Sequence, residues 1–339
     1  MAEIKTSAGQ ERKILADIVP LSVPFSVYAF VTNFCNFKCI YCGHSLGIEK
    51  MKEEYNFIHE QMSLEAFKEI VDQLCLFQQK IKLFSLTGHG EPLLNKQLPE
   101  MIAYAKKKQV ADRIEIISNG SLLTKQLSDK LIEAGLDCIR ISLQGLNSEK
   151  YKEICGYNLD FQEYLNQLSY FYKRRGDCQL FVKIMDVALE ENEEKTFYEI
   201  FDSICDRMFI EQCRPVYSGV QLTEHIDVTA DRYGRAHSPR EVCPLCFFML
   251  GILPNGDVKP CDSVYTPVLL GNIFEKNLKQ IWNDEKLKNF QMMQLQKKRR
   301  DIKYCNICCA PDDVSQPEDV LDQKAERILR RLSLCRIKC

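Results

Sequence analysis

Phe25-Ser-Val-Tyr-Ala-Phe-Val31 runs almost directly into Asn33-Phe-Cys-Asn-Phe-Lys-Cys-Ile-Tyr-Cys42. The first stretch mixes β-branched and aromatic residues, the composition of a buried strand. The second is a loop carrying three cysteines. Working outward, Ser63 reads as the N-cap of a helix whose Leu64, Phe67, Ile70, Val71, Leu74 and Phe77 recur at 3–4 spacing. The strand Lys82-Leu-Phe-Ser-Leu86 follows, ending in Thr87-Gly-His-Gly-Glu-Pro92, and then a helix over Leu98–Lys107. Arg113-Ile-Glu-Ile-Ile117 is the next strand, ending in Ser118-Asn-Gly120, and its helix over Gln126–Ala134 stops at Gly135. Cys138-Ile-Arg-Ile-Ser-Leu143 precedes helical sequence from about Asn158 to Arg174. Leu180-Phe-Val-Lys-Ile184 precedes helical sequence over Glu191–Cys205, and Met208-Phe-Ile-Glu211 closes the series. Six strands alternating with helices predict an α/β fold with a parallel sheet. Six units suit a partial (β/α)6 TIM-like barrel better than a closed barrel of eight, with a doubly wound open sheet as the alternative. Either architecture gathers ligands at the C-terminal ends of the strands, where the cysteine loop falls.

The composition narrows the function. The 339 residues include 45 Lys and Arg against 47 Asp and Glu, a formal charge of −2. No basic field remains for nucleic acid. No apolar stretch reaches the roughly 18 residues of a membrane span, the longest being Val27–Val31 and Cys246–Leu253. The start, Met1-Ala-Glu-Ile-Lys-Thr, lacks the order of a secretory signal, so a cytoplasmic protein is expected. The 17 cysteines, an odd number, then indicate metal or redox chemistry rather than cross-links.

Cys35, Cys39 and Cys42 stand at Cys-x3-Cys-x2-Cys spacing. Three thiolates within eight residues can wrap one corner of a cubane, and a [4Fe–4S] cluster so held keeps one iron open. The competing reading is a zinc knuckle. Through this triad the sequence resembles the radical S-adenosylmethionine (SAM) superfamily over roughly residues 22–212. Tyr41 occupies the aromatic position that lies against adenine in that family. Gly90-Glu91-Pro92 resembles the Gly-Gly-Glu-Pro motif that holds the SAM amino group, with His89 replacing the first glycine. Ser118 and Asn119 match the ribose-binding position, and Ser142 matches a further polar SAM contact. The residue chemistry agrees: glycine admits close backbone approach, and a carboxylate accepts from an ammonium. The resemblance implies that a reduced cluster passes an electron to SAM, releasing methionine and a 5′-deoxyadenosyl radical that removes hydrogen from substrate. It also implies an electron donor such as flavodoxin or ferredoxin.

A second constellation begins at Cys243. Pro254-Asn-Gly256 is a turn between apolar runs that folds Cys261 back towards Cys243. Cys305-x2-Cys308 lies downstream, with Cys309 next to it. Cys243, Cys261, Cys305 and Cys308 make a sensible four-thiolate site, and the spacing alone fits zinc and iron–sulfur equally. Residues 243–309 resemble the SPASM extension of radical SAM enzymes through Cys-Pro, Gly-Asp-Val-x-Pro-Cys, Gly-Asn-Ile and Ile-Trp. The shortened twitch form, with one auxiliary [4Fe–4S] cluster, fits better than full SPASM. Cys246 and Cys309 are possible replacement ligands, and Cys335 and Cys339 read as tail cysteines or a displaced cluster remnant. Cys75, Cys138, Cys155, Cys178 and Cys205 read as small core residues.

The expected organisation is a leader (1–21), the radical SAM core (22–212), a connector (213–242) carrying Pro215, Gly219, Gly234 and Pro239, and an auxiliary-cluster domain of hairpin plus helix (243–312). A helical tail (313–339) ends it. An auxiliary cluster implies electron removal after hydrogen abstraction, hence net oxidation, epimerisation or rearrangement. About 24 residues precede the first strand, fewer than a peptide-recognition domain needs, which favours a small-molecule or carbohydrate-like substrate over a peptide. A zinc-stabilised scaffold without turnover is the reading from another class. His44, Lys183, Glu211 and Arg214 are candidate polar groups at the barrel mouth. His225, Asp227, Asp231 and Arg232 of the connector are candidates for the substrate side.

Overall fold

A computed structural model describes residues 1–6, 12–220, 226 and 229–336. The six expected strands are β2 (Ser26–Ala29), β3 (Ile81–Ser85), β4 (Ala111–Ser118), β5 (Cys138–Leu143), β6 (Gln179–Met185) and β7 (Arg207–Glu211). All pair in parallel with their sequence neighbours. Side chains from each of them, Tyr28, Leu83, Glu115, Arg140, Lys183 and Glu211, line one cavity. The sheet therefore curls around a lumen as a partial barrel, and the doubly wound alternative is set aside.

The helices form for local reasons the sequence carries. Ser63 accepts from the Ala66 amide to start Leu64–Leu74, whose Phe67 stacks on Phe84 of β3 at 5.5 Å. Thr124 caps Lys125–Glu133, which gives way to Gly135 at φ +85°. Asp160 caps Phe161–Arg174 in the same way.

Four features depart from the sequence reading. The segment expected as a polar leader contributes β1 (Glu3–Ile4), parallel to β7, and buries Leu15, Ala16 and Val19 in the core. The C-terminal hairpin is not separate from the barrel: β8 (Met249–Ile252) pairs in parallel with β2, from Ser26↔Met249 to Ala29↔Ile252. Through antiparallel β9 (Asp257–Lys259) and β10 (Gly271–Asn272) the sheet reaches ten strands, in the order β1-β7-β6-β5-β4-β3-β2-β8-β9-β10. Two short helices, Ile48–Tyr55 and Ser148–Cys155, follow loops expected to be irregular. Within the tail expected as helical (313–339), the helix covers Ala325–Arg336 and is preceded by short 3-10 turns.

The C-terminal region is anchored to the barrel. Gln73 donates to the Ile273 carbonyl at 2.8 Å and accepts from the Leu278 amide at 2.9 Å, and Trp282 Nε1 donates to the Leu21 carbonyl at 3.0 Å. No helix among the described residues is long and apolar enough to cross a membrane.

Candidate functional site

The cysteine loop leaves the C-terminal end of β2 and is held from outside by the helix Ser148–Cys155. The Lys38 and Ile40 amides donate to the last carbonyls of that helix, Cys155 at 3.0 Å and Ile154 at 2.9 Å. Helix-end carbonyls need such partners. Cys39 is buried, and Cys35 and Cys42 are half-buried. Burial pushes the Cys35 thiol up to about 12 and raises Cys42, while Cys39 is raised first by its bond with the Cys155 thiol and then by burial. Cys155 is therefore more than a remote core residue. Three thiols held towards the neutral form suit a group that brings its own positive charge, as iron does.

The loop after β3 presses against this one. A Cβ on Gly90 would stand 2.3 Å from the Phe34 carbonyl oxygen, so only glycine fits. The Glu91 amide donates to that same carbonyl at 2.8 Å. The Glu91 carboxylate then reaches the end of β4, accepting from Ser118 Oγ at 2.7 Å, the Asn119 amide at 2.6 Å and the Leu93 amide at 3.0 Å. Burial pushes its carboxyl up to about 7 against the pull of these donors. Asn119 Nδ2 closes the circuit by donating to Asn36 Oδ1, in the cysteine loop, at 2.9 Å. Tyr41 donates its hydroxyl to Gln144, whose Oε1 also lies 3.5 Å from Cys39 Sγ. Gln144 Nε2 in turn donates to the Ser142 carbonyl at 3.1 Å. Tyr41, Gly90, Glu91, Ser118 and Asn119 thus lie in one bonded circuit with the triad loop, and Ser142 joins through Gln144. Sequence reasoning missed Gln144; its position two residues past a matched strand end was the available signal.

The candidate polar groups at the mouth are mostly paired. Lys183 donates to Glu211 at 2.8 Å, and Arg214 to Asp313 at 2.9 Å. Burial raises the Glu211 carboxyl, but Lys183, Arg232 and Arg140 outweigh it and hold the group at about 2. His44 Nε2 bonds the His89 carbonyl. Asp231 accepts from the Tyr233 and Arg235 amides, and Arg232 lies 3.9 Å from Glu211. His225 and Asp227 lie outside the described residues.

Across β2, the second constellation assembles. Cys243, Cys261, Cys305 and Cys308 line one cavity, and Cys246 joins them. Burial raises all five thiols, Cys261 and Cys305 to about 12. Ser263 Oγ lies 3.7 Å from Cys308 Sγ, and Arg299 and Lys259 supply nearby positive charge. Cys309 instead meets Asp313, outside this cavity's lining. No three His, Cys, Asp or Glu among the described residues close on a single metal position; the thiols ring a space instead. The side chain of Cys335 and all of Cys339 lie outside the described residues. His89 stands between the two regions, edge-on to Phe30 and beside Lys259, Asp262 and Ser263.

Comparison with known proteins agrees with this arrangement. Residues 30–204 match the Radical SAM superfamily model, and residues 243–309 match SPASM, an iron-sulfur cluster-binding domain. The Fe-coproporphyrin III synthase of Methanosarcina barkeri is 34% identical over 129 residues, 37% of this chain and 29% of that protein. The probable GTP 3′,8-cyclase of Methanocaldococcus jannaschii is 35% identical over 205 residues, 60% of each chain. The chain thus spans less than two thirds of the length of these curated relatives. Among solved structures, BtrN in complex with AdoMet and 2-DOIA superposes at a TM-score of 0.56 with 17% identity, over 84% of this chain and 93% of that one. Native anSMEcpe with bound AdoMet gives 0.57 and 17%, over 92% and 98%. Streptococcus suis SuiB bound to S-adenosylmethionine gives 0.60 and 16%, over 88% and 76%. These similarities carry the fold. The family matches bring [4Fe–4S] clusters and S-adenosylmethionine as cofactors, so the zinc reading of the cysteines gives way to iron–sulfur. The chain belongs to the radical SAM superfamily and carries a C-terminal SPASM domain.

Proposed function

We propose that Cys35, Cys39 and Cys42 hold the SAM-binding cluster, and that the enzyme abstracts hydrogen from a small molecule seated in the barrel lumen. Cys243, Cys261, Cys305 and Cys308, with Cys246 as the alternative ligand, would hold a second cluster, which would supply an electron acceptor for a net oxidation. When bound, the first cluster and SAM supply a 5′-deoxyadenosyl radical. The chain's own residues do the positioning. Tyr41 offers a flat ring beside the triad for adenine, Ser118 and Asn119 offer hydroxyl and amide groups for ribose, Ser142 offers a further polar contact, and the Gly90–Glu91 turn would lie at the amino acid end of SAM. Glu91 fixes these loops to one another through its three accepted bonds. Glu211, kept ionised by Lys183 and Arg232, faces the lumen as a fixed negative charge.

The observation that carries this reading is the interlock of the triad loop, Gly90–Glu91 and the end of β4. The curated relatives' names, referring to GTP and coproporphyrin III, support a small molecule over a peptide, as does a partly open lumen of about 330 Å³. The test is anaerobic incubation of the reduced protein with SAM, followed by chromatography for 5′-deoxyadenosine. Wild type should form it and Cys35/Cys39/Cys42→Ala should not. Equal formation by both would refute the assignment.

A further inference from the structure

The lumen is lined by seven basic side chains against four acidic ones. At its centre, Glu115 accepts from Arg113 Nη2 at 3.0 Å and from Arg140 Nη1 at 3.3 Å. Glu211 accepts from Lys183 at 2.8 Å, with Arg232 Nη1 at 3.9 Å. Four cations therefore share two carboxylates. Asp262 also lines the space, so these four cations meet three carboxylates. The Nε–H groups of Arg113, Arg140 and Arg232 are buried and have no acceptor. Buried donors are rarely left so, because the unmade bond is costly. A purely structural ion-pair cluster would balance its charges and use its donors; this one does neither.

The layer is also placed where a substrate would need it. Arg140 and Ser142 are two residues apart on one strand and face the same side of the sheet. Arg140 thus sits roughly 7 Å below the end of β5 that carries Ser142, at about 3.3 Å per residue, while Lys183 is level with Ser142 in register and Arg113 lies five residues before Ser118. The guanidinium fork suits carboxylate and phosphoryl oxygens, which it meets with paired N–H groups.

We propose that Arg113, Arg140, Lys183 and Arg232 form an oxyanion site, and that the substrate is a small molecule bearing a carboxylate or phosphoryl group. Its identification as the substrate site rests on the function proposed above; the anion site itself does not. The test is thermal unfolding of the anaerobic holoenzyme with inorganic phosphate or acetate, against chloride at matched ionic strength. Wild type should be stabilised saturably by at least one of the two. Phosphate alone would mark a phosphoryl group, acetate alone a carboxylate, and both a general oxyanion site. Arg140→Gln and Arg232→Gln should weaken half-saturation about tenfold or more, the scale of one charge-assisted hydrogen bond. Arg140→Lys, which keeps the charge, should retain most of the response. Iron content and circular dichroism report whether each variant is folded; Arg232 lies on the connector, so its variant tests the site even if Arg140→Gln fails to fold. No stabilisation of wild type beyond chloride, or equal stabilisation of wild type and both Gln variants, would overturn the proposal. Response to phosphate without 5′-deoxyadenosine formation would remove the catalytic reading and leave the anion site standing. Formation of 5′-deoxyadenosine without any anion response would do the reverse.

Discussion

Arg214 and Asp313 meet at 2.9 Å with side chains about 1% exposed, an ion pair wholly removed from water. It ties the connector to the short helix Ala310–Asp313 that follows Cys305, Cys308 and Cys309. Removing one partner of such a pair strands a buried charge. Asp313→Ala should therefore cost about 3–5 kcal/mol in denaturant unfolding, and a loss below about 1 kcal/mol would show the pair to be solvated. His89 gives a pH-dependent counterpart. Burial, with Lys259 and His44 adding like charge, holds its imidazole down at about 3. The unfolded chain takes up that proton below about pH 6.5, so stability falls as pH drops from about 6.5 towards 3. The wild-type advantage over His89→Gln should shrink between pH 7 and pH 4.5 in urea titrations. A constant gap would place the ring in solvent.

At the scale of elements, two glycines separate the two cysteine regions. Gly90 presses on the Phe34 carbonyl of the triad loop, and Gly251 of β8 would place a Cβ 2.5 Å from the Cys261 carbonyl. Gly90→Ala should release about four irons from the triad and leave the auxiliary region loaded; Gly251→Ala should do the opposite, at four irons per cubane. Iron and sulfide assays check both, and identical losses in the two variants would contradict the separation. Strands β2 to β7 were legible because each is a short apolar run bounded by turn residues, and three helix starts, at Ser63, Thr124 and Asp160, carried a capping side chain. Strand β8 was legible as half of a hairpin but not as a partner of β2. That pairing joins Ser26 to Met249, and a contact so distant leaves no local periodicity. Gln144 and Cys155 escaped for the same reason: they meet Cys39 only once β5 and the helix Ser148–Cys155 are folded against the loop. Cys246 was legible only as a possible replacement ligand. One turn of 3-10 helix, Leu245–Phe247, brings it to the same cavity as Cys243, and spacing does not give that direction.

Over the whole molecule, the pairing of β8 with β2 makes one sheet serve both cysteine regions. The triad leaves one end of β2, and the five C-terminal thiols sit around the hairpin that pairs with it. The charged lumen runs alongside, closed in part by Leu245, Phe248 and Met249 from the C-terminal region. Under the proposed function, a substrate radical formed near the strand ends would give up its electron towards the auxiliary site. The central claim is that the chain carries two clusters on separate thiol sets. Its most direct test is iron and sulfide content after anaerobic reconstitution, for wild type and for Cys35/Cys39/Cys42→Ala. About eight irons per chain falling to about four in the variant is the predicted result, given four irons per cubane. About four falling to none would contradict it, leaving the C-terminal thiols without a cluster.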